Sequence, residues 1–480
     1  MFKALHTLIG ALVVALVFAS TAATANTTYL PIEAMVYYVQ TASASTRTCN
    51  GSVAYDSSAS GSTQLVALSS GATIYICGYT LFGGNSGAQA QLVYGTGSNC
   101  ATGRTALTPP YQLTGQTPIV DGGDYVEGLQ TAASNALCIV TNYTYYRAIT
   151  IDHTKVGTVN NTDQSNFPVL VSGTYTQLKT VANGGHVQNA NGYDIIFTSD
   201  AAGVTPLNYE VESYNASTGV VTFWVKVPTV SHTADTVIYM WYGNPAITTP
   251  QANATGVWDT NFQGVWHMQD NAANTTIVDS TGQNTATMIG GNTSSYPCGS
   301  LFASTSQSLY FGGNNAVVNN SFSYTSNYTM ESWYYNNVAF DSANQLWSNA
   351  AIGASAGYNM SMLNGGQGYS VFTTSGYLRS FYNNGFSTVH VAMSCVSGTL
   401  TIYVNGAAQN SQSGCGTTPN GNFTINSFYA GQYNTGFNGN MCMAELRVSS
   451  SGRSADWIKT SYNNQNSPST FYTVGSEQQP

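Results

Sequence analysis

IYMWYGNPAITTPQANATGVWDTNFQGVWHM, Ile238–Met268, holds the punctuation from which the rest of the chain reads. Ile238–Tyr242 is an apolar, aromatic run of strand type. Gly243-Asn244-Pro245 stops it, because proline has no N–H for a ladder and glycine tolerates turn geometry. A polar stretch follows, and Gly264-Val265-Trp266-His267-Met268 opens a second strand-rich segment. On both sides of this join the texture is the same: short alternating or wholly apolar runs divided by Gly, Asn and Ser turns. Gln64–Leu68, Ala72–Phe82, Gln89–Tyr94 and Ala136–Val140 are such runs upstream. Thr399–Val404 followed by Asn405-Gly406 is a hairpin signal downstream. One short helix is expected, near Ser454–Asn463, with Ser454 as N-cap and Trp457 and Ile458 turned inward. The fold class that follows is all-β, as tandem β-sandwich modules.

A chain of 480 residues has room for about three domains at ~150 residues each. The expected division is 45–141 for a small disulfide-containing sandwich, 145–260 for a second module and 262–476 for a third. An extended, Tyr-rich segment, 26–44, precedes them. Charged residues make up only 6% of the chain, so hydroxyls, amides and 33 tyrosines carry its polarity. Such a surface meets its surroundings through hydrogen bonds and aromatic faces. The net charge is −9 and the eleven Lys and Arg are scattered, which argues against nucleic acid or an anionic membrane as a partner.

The N-terminus reads as a secretory signal. Lys3 and His6 precede the apolar run Leu8–Ala19, and Ala23-Thr24-Ala25 offers a small-residue cleavage site after Ala25. Twelve apolar residues are too few to cross ~30 Å of hydrocarbon as a helix, so no transmembrane span is expected in the mature chain. Localisation is therefore expected to be extracellular, secreted or at the cell surface. Eight cysteines suit an oxidising compartment. They fall as two groups of four, with none between Cys138 and Cys298. Each group allows three connectivities. The pairing taken as a working set is Cys49–Cys138, Cys77–Cys100, Cys298–Cys442 and Cys395–Cys415.

Several stretches resemble known families. IYICGYTLFGG, QLVYGTGSNCATGRTALTPPYQLT and NALCIV, between Ile74 and Val140, resemble a small β-sandwich of bacterial and phage surface proteins. YYRAITIDHTKV (Tyr145–Val156), LKTVANGGHVQNANGYDIIFTS (Leu178–Ser199), LNYEVESYNASTGVVTFWVKVPTV (Leu207–Val230) and TVIYMWYGNP together resemble an uncharacterised domain of secreted bacterial and archaeal proteins. That family commonly precedes a concanavalin A-like, laminin G-like module. VHVAMSCVSGTLTIYVNG (Val389–Gly406), FNGNMCMAELRVSS and RSADWIKTSYNNQNSPSTFYTVG resemble such a module. The resemblance implies a jelly roll of two antiparallel sheets for the C-terminal region. It implies no reaction.

Candidate chemistry is sparse. Gly353-Ala354-Ser355-Ala356-Gly357 fits a nucleophile-elbow pattern, but no acid lies between Ser355 and His390 and the flanks read as strands. Glu210 and Glu212 sit two apart on one strand, so they share a face. Glycosidase carboxylates instead flank a cleft, and solvent-facing positions are the plainer reading for this pair. Asp279 and Asn284, with Ser280, Thr281 and Gln283 between them, could offer oxygens to calcium, the only cofactor for which the chain suggests a place. The plainer reading is a polar turn held by the Asp279 side chain. The laminin G-like family's usual Asp-Glu near the last strand appears here as Ala444-Glu445, one carboxylate short. Histidines 153, 186, 232, 267 and 390 are each isolated in sequence. Tyr377, Tyr382, Asn383 and Asn384 sit beside Gly-rich turns and are the ligand-binding candidates, because sugar rings stack on flat aromatic faces and loops carry binding residues.

These observations lead to the expectation of a non-enzymatic binding or adhesion protein, contacting carbohydrate or a partner surface through the laminin G-like module. The alternative is a self-assembling structural subunit of an extracellular filament or surface layer, with Thr27–Thr41 donated to a neighbour's sheet edge.

Overall fold

The computed structural model describes residues 130–269 (all but 202, 204, 245 and 246), 387–415 and 440–478, together with the strands and short connections of other segments between 32 and 428. The chain divides into two compact units, 1–141 and 142–480. The all-β expectation holds in both.

In the first unit, a four-stranded sheet runs Gly51–Ser57, Ile32–Thr41, Thr73–Phe82, Ile119–Gly122. A five-stranded sheet runs Gly61–Val66, Ala136–Asn142, Ala88–Thr96, Thr102–Ala106, with Tyr111–Leu113 also on Ala88–Thr96. Val36, Ile74, Ile76, Leu81, Leu92 and Leu137 build the core. One expectation is overturned here. Ile32–Thr41 is no free lead-in awaiting a neighbour. It pairs on one side with Gly51–Ser57 and on the other with Thr73–Phe82. Both of its edges are used within its own module, so it has no open ladder to donate.

Among the described residues, the second unit contains four sheets. A four-stranded sheet orders Ile196–Thr198, Thr236–Tyr242, Tyr145–Ile151, Tyr472–Val474, and a three-stranded sheet orders Gln164–Thr174, Val220–Val230, Tyr209–Asn215. Ile149, Ile151, Val169, Val171, Phe197, Phe223, Val225, Ile238 and Met240 pack between them. A seven-stranded sheet contains Phe262–Trp266, Asn440–Ser449, Tyr328–Asn336, Thr388–Val396, Thr399–Val404 and Ala407–Ser413, with Leu309–Gly312 on its edge. An eight-stranded sheet begins at Thr276–Ile277 and ends at Tyr369–Thr373 and Gly376–Ser380. These two form the jelly-roll sandwich, with Trp347, Met360, Val371, Val391, Met393, Ile402, Ile425, Leu446 and Val448 between them. The Asn405-Gly406 hairpin forms as its sequence demands, both residues taking positive φ (51° and 72°).

The division of sheets falls at the Ile238–Met268 join, yet the join is packed. Tyr242 ends its strand and Gly243 turns with φ 87°. Asn253 caps the short Ala254–Val257 helix, and Val257, Trp258 and Phe262 are buried. The C-terminal segment then returns to the first sandwich. Helix Ala455–Asn466 starts where Ser454 Oγ accepts from Trp457 N, and it buries Trp457 and Ile458. The Trp457 ring meets Phe167 edge-on. The Asn464 side chain pairs with both backbone groups of Leu170, and the Tyr472 hydroxyl with both of Ser172. Asp456 accepts from Val159 N, Asn160 N and the Thr162 hydroxyl. Tyr472–Val474 finally adds to the Tyr145–Ile151 strand. Residues C-terminal to the jelly roll therefore complete the sandwich that begins at Tyr145.

Candidate functional site

The three-stranded sheet turns one face to its own core and the other to the seven-stranded sheet. Glu210 and Glu212 lie on that second face, on a strand whose register shifts between Val211 and Ser213. Far from facing solvent, as their alternation suggests, their side chains are 11% and 1% exposed. Tertiary packing, which strand periodicity does not encode, covers them. Trp258 Nε1 donates to Glu210 (2.9 Å), Trp224 Nε1 to Glu212 (2.6 Å) and the Ser280 hydroxyl to Glu210 (2.5 Å). From the other sandwich come Glu445 and Arg447 on Asn440–Ser449, Glu331 on Tyr328–Asn336 and His390 on Thr388–Val396. Arg447 binds Glu445 at 2.9 Å, and its guanidinium lies 4.4 Å from the Trp224 ring and 5.0 Å from Trp258. Arg453 makes a bidentate pair with Asp259 of the join, at 3.1 Å.

His267, the residue after the Phe262–Trp266 strand, stands at the centre. Its Nδ1 meets Glu445 Oε1 and lies 3.8 Å from Glu212 Oε2, while its Nε2 lies 3.2 Å from Glu210 Oε2. Burial alone would lower the imidazole pKa, but the carboxylates of Glu445, Glu210 and Glu212 raise it well above the usual range. Burial alone would likewise raise Glu210 and Glu331. Glu210 is nonetheless held below the ordinary value by His267, and Glu331 by the hydrogen bond and charge of His390 and the charge of Arg447. Ligating atoms of Glu212, His267 and Glu445 all fall within 4.8 Å of one another. A second such group, Asp152, His153 and Asp235, lies at the surface, with His153 Nδ1 at 2.6 Å from Asp235. His267 and Glu445 were not singled out as a pair by sequence because they are 178 residues apart.

The expected calcium position is something else. Asp279 is buried, and its two oxygens accept from Val265 N, Thr281 N, Gln283 N, Asn284 N and the Thr281 hydroxyl, at 2.6–3.1 Å. A carboxylate offers about four lone-pair sites, so none is left for an ion. The Asn284 side chain is committed too, donating to Gln263 O and accepting from Asn320. Asp279 and Asn284 form a turn, held by these hydrogen bonds, that clips the Phe262–Trp266 strand.

Tyr377 lies in the edge strand Gly376–Ser380, opposite Phe372, and its side chain is outside the described residues, as are Tyr382, Asn383, Asn384 and the Gly353–Gly357 motif. Trp333 and Trp347 are buried; Trp333 Nε1 donates to Gln465 of the C-terminal helix. Cys395 and Cys415 are joined by a disulfide, and Cys77, Cys100 and Cys442 are each disulfide-bonded. Cys49 and Cys298, the side chain of Cys138, and the signal segment through Ala25 lie outside the described residues.

The fold and its packing define, in the 142–480 unit, two fused β-sandwiches, the second of concanavalin A-like design. Residues 191–293 match the family described as domain of unknown function DUF2341, and residues 311–459 match the concanavalin A-like lectin/glucanases superfamily. The chain thus carries these two domains in the order the resemblance implied. Comparison with curated proteins found no match. Among solved structures, similar chains include a Trypanosoma rangeli sialidase bound to 2,3-difluorosialic acid (11% identity, TM-score 0.34, covering 56% of this chain and 46% of that one). Domain 4 of AbnA, a GH43 extracellular arabinanase from Geobacillus stearothermophilus in complex with arabinotriose, is also similar (15%, 0.33, 42% and 98%). So is the binding domain of Paraclostridial Mosquitocidal Protein 1 (12%, 0.31, 44% and 52%). The chain spans about half the length of the sialidase and of the mosquitocidal binding domain. At these scores the similarities assign no function.

Proposed function

We propose that this is a secreted, non-enzymatic binding protein of the cell exterior that contacts carbohydrate through its concanavalin A-like module. The match of residues 311–459 to the lectin/glucanases superfamily carries the reading. The packing narrows where contact would be made. The seven-stranded sheet is covered on one face by the jelly-roll core and on the other by the first sandwich and the C-terminal helix. The eight-stranded sheet turns Thr287, Val317 and Thr424 away from the core as exposed or half-exposed residues, and its edge strand carries Tyr377. The proposed ligand face is that sheet, with Tyr382, Asn383 and Asn384, which follow its edge strand in sequence, as the candidate contacts. Glu210 and Glu212, the chain's most suggestive acid pair, are committed to an interior layer rather than a cleft, which supports the non-enzymatic reading.

The test is glycan-array binding by the purified, signal-cleaved chain, with light scattering and electron microscopy on the same sample. Monomers that bind defined glycans, and lose at least tenfold in affinity in Tyr377→Ala or Asn383→Ala, are the expected outcome. Ordered filaments or sheets without glycan binding would replace this reading with the structural-subunit alternative.

A further inference from the structure

The layer between the two sandwiches carries more negative charge than its cations answer. Glu210 and Glu212 face it from one side, Glu445 and Glu331 from the other, and Arg447, His267 and His390 are the groups that answer them. Arg453 is bound to Asp259, so that pair adds no net charge. Even with both imidazoles protonated, four carboxylates outnumber three cations. Charge left unpaired in a dry interface is costly and is relieved by a proton or a bound cation.

The geometry favours a cation. The His267 side chain is only 8% exposed, and its Nε2 lies 3.2 Å from Glu210 Oε2. The two ring nitrogens of His267 point at different carboxylates, Nδ1 toward Glu445 and Glu212 and Nε2 toward Glu210. Ligating histidines are arranged in this way, with one nitrogen on the ion and the other steadied by a carboxylate. The two acidic ligands are oriented in turn, Glu212 by the Trp224 indole and Glu445 by Arg447. We propose that Glu212, His267 and Glu445 hold one divalent transition-metal ion between the two sandwiches, with Glu210 steadying the histidine. One nitrogen and two carboxylates suit Zn²⁺ or Mn²⁺ better than Ca²⁺, which takes six to eight oxygens. Glu212 comes from the sandwich that begins at Tyr145, Glu445 from the jelly roll and His267 from the end of the join, just after the Phe262–Trp266 strand, so the ion fastens the two together.

The full chain, stripped with chelator and dialysed into metal-free buffer, is titrated with Zn²⁺ and Mn²⁺ and followed by calorimetry, elemental analysis and thermal unfolding. The expected result is one equivalent bound and a melting temperature for the 142–480 unit raised by several degrees. Glu212→Gln and Glu445→Gln abolish both effects, while their melting temperatures in chelator stay within a few degrees of the parent chain. If either variant fails to fold, Co²⁺ loaded into the parent chain reports the site by its visible absorption, which a site with one nitrogen and carboxylate oxygens dictates. Absence of stoichiometric binding overturns the proposal. So does binding that survives both glutamine substitutions but is lost in Asp235→Asn, which would place the ion at the exposed Asp152–His153–Asp235 group.

Discussion

Asp279 shows how one buried carboxylate can look like a metal ligand and act as a clip. Its oxygens gather four backbone N–H groups and a hydroxyl from Val265 to Asn284. Asp279→Ala leaves those donors without their acceptor. It should cost about 3 kcal/mol, given 1–3 kcal/mol for each buried group left unsatisfied, and calcium should not change the melting temperature of the parent chain through this residue. Chemical denaturation with and without calcium checks both points. Asp456 gives the pH dependence. Burial would raise its pKa, but the Thr162 hydroxyl and the N–H groups of Asn160 and Val159 hold it below the usual value. A carboxylate lowered on folding contributes stability that is complete above the unfolded value, near ~3.9, and is lost as pH falls through the folded one. Acid titration of Asp456→Asn should therefore give a flatter fall in stability below pH ~4 than the parent chain gives.

Among elements, the C-terminal helix and strand have the most consequence for their length. Helix Ala455–Asn466 is amphipathic in the ordinary way, with Ser454 capping it and Trp457 and Ile458 buried. What it buries against is unexpected: Phe167 and the Gln164–Thr174 strand of the preceding sandwich. Trp457→Ala should cost about 3–5 kcal/mol, as large aromatic truncations in cores do, and the loss should appear in the same unfolding transition that reports the Tyr145–Tyr242 sandwich. Near-ultraviolet circular dichroism of the two chains during denaturation checks this. Ile32–Thr41 carries the same lesson. Its Tyr-rich sequence reads as extended, but the partners on its two edges come from residues up to 49 positions away.

At the scale of the whole molecule, the two matched domains form one compact unit and the N-terminal module another. Scanning calorimetry of the full chain should show two unfolding transitions rather than three, because the charged layer, the Arg453–Asp259 pair and the returning C-terminal segment couple both sandwiches of 142–480. A third, independent transition would mean that the layer does not couple them.

Local patterning was enough to determine strand type, the Asn405-Gly406 turn, the capped helix at Ser454 and the break at Gly243. Each depends on residues within a turn or two of one another, where alternation, φ preference and capping chemistry act directly. The tertiary structure alone decided that Glu210 and Glu212 are interior, that His267 meets Glu445, that Asp279 is already saturated and that the chain's last residues close its middle sandwich. These outcomes depend on which sheet faces meet. Side-chain alternation says that a strand has two faces, and only the packing of distant segments says what covers the second.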